Sequence, residues 1–88
     1  MSRRKKKQRT HAFISMSIDA ERIGDFDMGS IRGLPGVEEV RRTYPDDPAL
    51  FNLYLAKVEL EKADDVIATI RGYAPVEYAE FTEEPEPR

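Results

Sequence analysis

Chemistry needs side chains that can shuttle protons, ligate metals or attack electrophiles. This 88-residue chain offers one histidine, no cysteine and a set of acids in adjacent pairs. His11 stands where a basic terminus meets an alternating segment, the place of a boundary residue and not of a general base or a ligand. Without thiolates, a transition-metal site would rest on carboxylates and that single imidazole. Glu38-Glu39, Asp46-Asp47, Asp64-Asp65 and Glu83-Glu84 are sequence neighbours. Neighbours on a strand point to opposite faces, so these pairs read as solvated charge and not as acid/base dyads. Gly33-Leu34-Pro35-Gly36 lacks the spacing and the following lysine of a phosphate loop and reads as a helix stop. The expectation is a non-enzymatic protein that carries no cofactor and no metal.

Charge is distributed unevenly along the chain. Arg3, Arg4, Lys5, Lys6, Lys7 and Arg9 are six of the fourteen basic residues and have no acid among them, which leaves eight bases against all seventeen acids in the rest. Such an arm can contact nucleic acid, because each cation placed on a phosphate releases counterions. The other reading is a solvated, disordered terminus lying near an acidic body, and two features favour it. No aromatic residue interleaves with the charges to stack on bases, and an acidic body repels phosphates. No apolar run approaches the roughly twenty residues of a bilayer span, and no apolar segment of signal-peptide type follows the basic start. These features lead to the expectation of a soluble, cytoplasmic protein.

Hydrophobic periodicity supplies the elements. Residues 11–18 alternate, with Ala12, Ile14, Met16 and Ile18 on one face and Phe13, Ser15 and Ser17 on the other, which predicts a half-buried strand. Ile23, Phe26, Ile31 and Leu34 can line a helix, but Gly24, Gly29 and Gly33 shorten it, and the expected helix runs over 25–32. A charged strand is expected over 37–44, followed by a Pro45–Pro48 turn. A third strand over 52–60 turns Tyr54, Ala56, Val58 and Leu60 inward. A second helix over 62–72 buries Val66, Ile67 and Ile70, carries Asp64 and Asp65 at the positive end of its dipole, and stops at Gly72 and Pro75. Val76–Phe81 is the fourth strand.

The order β-α-β-β-α-β is the ferredoxin-like split, an α+β fold with a four-stranded antiparallel sheet and both helices on one face. The expected organisation is a disordered basic arm (1–10), one domain (11–82) and a flexible acidic, proline-bearing tail (83–88). The sheet face opposite the helices would then carry Phe13, Leu53, Leu55 and Tyr78. Apolar residues clustered on a flat surface mark a partner-binding face.

The segment from Leu60 to Glu80, with Val76-Glu77-Tyr78-Ala79-Glu80 as its strand, resembles the second half of the propeptide inhibitors of subtilisin-like serine proteases. In that family a strand leads into a helix, then into a strand of the type V-x-Y-V-E, then into a tail of about eight residues; Phe81–Arg88 supplies a tail of that length. The resemblance covers the last third of the chain specifically and the rest in layout. It implies a folding chaperone and inhibitor that presses its open sheet face on two surface helices of the protease and lays its tail in the active-site cleft. On this analogy Phe13, Leu53, Leu55 and Tyr78 lie at the contact, Glu80 approaches helix N-termini, and Pro85, Glu86, Pro87 and Arg88 occupy the cleft.

Gly33–Val40 also reads like the turn from first helix to second strand in amino-acid-binding regulatory domains of the same layout. The alternative is therefore a protein-interaction or small-molecule-sensing domain.

Overall fold

The computed structural model describes residues 10–83. The alternating segment forms β1 (His11–Ile18), with Ala12, Ile14, Met16 and Ile18 buried as the pattern requires. β1 lies inside an antiparallel sheet of order β2-β3-β1-β4, built with β2 (Val37–Arg42), β3 (Leu53–Glu59) and β4 (Val76–Thr82). The order places each strand of a β-α-β unit two positions from its mate, with one antiparallel strand between them. This is the ferredoxin-like α+β arrangement.

The first connection departs from the expected helix over 25–32. Asp19 accepts the Glu21 N–H at 3.0 Å and opens a 3-10 turn over Ala20–Asp25, and Phe26 is extended. The α-helix α1 is limited to Met28–Arg32, because the Asp27 carboxylate accepts the Gly29 N–H at 2.9 Å and the Ser30 hydroxyl at 3.1 Å. An aspartate that satisfies the free donors of a first turn fixes the helix start at its own position. Ile31 is buried, while Ile23, Phe26 and Leu34 pack at the margin of the core.

Gly33 caps α1, and Gly36 turns the chain into β2 with φ +95°. A Cβ on Gly36 would stand 2.7 Å from the Cβ of Lys62, so the turn requires glycine on both conformational and steric grounds. β2 carries a bulge between Val37 and Glu39 and ends at Arg42, short of the expected Tyr44, which is exposed. Asp47 and Pro48 then open a 3-10 turn over Pro48–Leu50, with the Asp47 carboxylate accepting the Ala49 N–H at 3.0 Å.

A second correction falls at Leu60, expected inward but 46% exposed. β3 ends at Glu59, and Leu60 begins a 3-10 turn while its N–H donates to the Thr10 carbonyl at 3.2 Å. Once the chain leaves the pleat, strand alternation no longer governs where a side chain points. The turn feeds α2 (Ala63–Arg71), which buries Ala63, Val66, Ile67 and Ile70 and is capped by Gly72. Arg71 Nε donates to the Ala79 carbonyl at 2.9 Å, tying the end of α2 to β4.

Residues of both helices join Ala12, Ile14, Met16, Ile18, Val40, Ala56 and Val58 in one core. Tyr54, also expected inside, is half-buried at its edge against Phe26, with ring centroids 5.0 Å apart.

Candidate interaction face

Core membership separates the two sides of the sheet. Ile14, Met16, Val40 and Ala56 join the helices, whereas Leu55 is buried without belonging to that cluster. Leu55 therefore belongs to the opposite face, which no helix covers among the described residues. Strand register lays that face out in rows. The central row runs Arg41, Leu55, Ser15, Glu80 across β2, β3, β1 and β4. On one side Leu53, Ser17 and Tyr78 are aligned, with the Thr43 N–H donating to the Leu53 carbonyl at 3.0 Å. On the other side stand Glu39, Lys57, Phe13 and Thr82.

The four apolar residues expected on one face, Phe13, Leu53, Leu55 and Tyr78, do share it, and Glu80 shares it with them. They differ in height. Leu55 is 5% exposed at the centre of the face, Phe13 and Leu53 are half-buried, and Tyr78 is 50% exposed on the edge strand. The centre of a sheet is shielded by the side chains around it, so Leu55 forms a floor and the taller residues the contact surface. Ser17 is buried beside them, with its hydroxyl 3.4 Å from a Glu77 carboxylate oxygen.

Ser15, Ser17 and Glu80 were legible in the sequence, but Glu39, Arg41 and Lys57 of this face were not. Arg41 and Lys57 sit within charged or alternating runs that do not reveal their neighbours, and only the pairing of β2 with β3 sets Glu39 opposite Lys57. The Arg41 Nε lies 3.7 Å from a Glu39 carboxylate oxygen, an exposed pair of small energetic weight. The Thr43 hydroxyl is buried without a hydrogen-bond partner among the described residues.

His11 lies at the end of the sheet, where its Nε2 is 2.9 Å from a Glu38 carboxylate oxygen and its Nδ1 is 2.9 Å from the Thr10 hydroxyl. It reaches across β3 to do so, since His11 pairs with Glu59 and β3 separates β1 from β2. Two partners hold the ring as a structural clasp at the strand start. Among the described residues no group of three metal-ligating side chains converges, and no helix is long and apolar enough to cross a membrane.

Both chain ends leave from this same end of the sheet. Thr10 is bonded to Leu60, and Phe13 pairs with Thr82 near the end of β4. The arm residues Arg3, Arg4, Lys5, Lys6, Lys7 and Arg9, and the tail residues Pro85, Glu86, Pro87 and Arg88, lie outside the described residues. On the helix side, a surface groove of about 420 Å³ opens between Leu34-Pro35 and Lys62, Asp65, Val66 and Thr69 of the α2 region. Compared with protein-family models, with curated proteins and with solved structures, the chain matches none of them significantly.

Proposed function

We propose that this domain acts by docking its open sheet face on a protein, as a propeptide-like inhibitor or folding chaperone of a subtilisin-like serine protease. The observation that carries the reading is the placement of Phe13, Leu53, Leu55 and Tyr78 on one helix-free face, with β4 ending beside Phe13. A tail that continues from β4 starts at the rim of the docking face, so one contact delivers the other. Docking the sheet raises the effective concentration of the tail at the cleft, and the two sites together bind more tightly than either alone. The role is one of occupancy, with no reaction of its own.

The test is cleavage of a small chromogenic peptide by a panel of subtilases at increasing concentrations of this protein. Inhibition at micromolar concentration is expected. Removal of residues 83–88 is expected to abolish competition at the active site while leaving weak docking, and Leu55→Asp to weaken both by placing a charge in the buried floor beneath the contact, with circular dichroism checking that the variant is folded. No slowing of any subtilase, or inhibition indifferent to the tail, overturns the reading.

A second reading, an interaction or small-molecule-sensing domain of the same fold, is supported by the groove beside Leu34 and Lys62. It takes over if the protease panel is unaffected.

A further inference from the structure

We infer that two copies of this chain associate through their open sheet faces, about a two-fold axis that runs parallel to the strands between β3 and β1. Each symmetric stacking would bring different residues together, whatever the role of the face toward a protease.

Stacked sheets related by a two-fold axis in the plane between them have two simple choices. An axis running across the strands along the central row sets each residue of that row over its own copy. Arg41 would then face the partner's Arg41 and Glu80 the partner's Glu80, and like charges across an interface are a strong penalty. An axis running along the strands exchanges the two edges. Arg41 then faces the partner's Glu80, and by symmetry Glu80 faces the partner's Arg41.

The same operation sets large residues over small ones on the two middle strands. Leu55 stands over the partner's Ser15, and Leu53 over the partner's Ser17. Alternation of large and small lets two faces interdigitate. One row further along, Lys57 stands over the partner's Phe13, a cation placed on an aromatic ring. Packed sheets meet at an angle of about 30°, and the edge strands lie about 7 Å from the axis, so the rim charges move by about 4 Å from the ideal overlay. An arginine side chain spans that distance.

The face measures about 19 by 23 Å from strand spacing and rise, below the roughly 800 Å² per partner of a standard stable interface. The dimer is therefore reversible and concentration-dependent. It hides the surface assigned to partner docking, so self-association and docking exclude one another.

The full chain is examined by sedimentation velocity from about 10 μM to about 1 mM and at low and high salt, with no protease present. A monomer–dimer equilibrium that weakens as salt rises is expected, because the rim pairs are screened. A monomer throughout overturns the proposal. Arg41→Glu and Glu80→Arg are then prepared separately; both positions are exposed, and circular dichroism checks that each variant is folded. Each variant alone sets like charges together twice per dimer and is expected to raise the dissociation constant by at least about tenfold. An equimolar mixture of the two restores opposite charges at both rims, and association is expected to recover as a heterodimer. Native-like association of either variant alone, or a mixture as weak as its components, overturns the proposed axis. The native dilution and salt series stands even if a variant fails to fold.

Discussion

Alternate residues of the same strands meet two different environments, and the contrast between the two sheet faces organises this molecule. On the helix side, Ile14, Met16 and Val58 are fully buried within the apolar cluster that both helices complete. On the open side, Leu55 is buried almost as deeply, yet Ser15 and Arg41 flank it, and Glu80 lies one strand beyond. Burial alone thus fails to distinguish a structural face from a face meant for contact. Composition distinguishes them: the first face is a continuous apolar core with charge only at its margin, at Arg42, and the second surrounds a small apolar floor with groups that can specify a partner.

The contrast is broken most severely from the helix side. Ile14→Ala empties a site on a central strand and is expected to cost about 3 kcal/mol in urea unfolding, with Ile67→Ala costing more than about 2 kcal/mol. The equivalent truncation on the open face, Leu55→Ala, is expected to cost about 1.5 kcal/mol, because no helix packs over the cavity and the surrounding side chains can collapse into it. A loss equal to that of Ile14→Ala would mean that this face is as structural as the other. Gly36→Ala is expected to cost about 1 kcal/mol, less than either truncation, since it strains a positive φ and crowds Lys62 beneath the α1–β2 turn.

The smallest effects sharpen the same division. Tyr78→Ser removes a half-exposed ring and is expected to shift stability by less than about 0.5 kcal/mol while weakening any association through the open face. Deletion of residues 1–9 is expected to leave the melting temperature nearly unchanged, because a run of like charges without apolar residues buries no surface. Thr10 is retained in that deletion, since its carbonyl accepts the Leu60 N–H. Salt-dependent binding of generic nucleic acid that disappears with the deletion would assign the arm a role, and equal binding with and without it would exclude one.

Much of this was legible in the order of residues. The alternation over 11–18 sorted Ile14 from Phe13 because a pleated strand has a period of two, and that period needs no knowledge of the neighbouring strands. Gly33 and Gly72 marked helix ends, and both are helix caps. Errors arose where one local signal ended and another began. Leu60 continues the strand pattern in sequence, but the chain has already turned toward α2. The segment over 20–32 has helical spacing, yet Asp19 and Asp27 each open a turn of their own and divide it.

Residue order alone specifies which residues of each strand share a face, where the helices stop, and that the apolar content suffices for one core with the helices on one side. Local steric and hydrogen-bond preferences fix those features within a few residues. Which strands are neighbours follows from the folded chain alone. The order β2-β3-β1-β4 brings His11 to Glu38 across an intervening strand, sets Glu39 opposite Lys57, and places Arg41 and Glu80 at opposite edges of one row. Periodicity assigns a side but carries no register. Register is set by long-range pairing, where a shift of one residue exchanges the faces and a shift of two realigns every row.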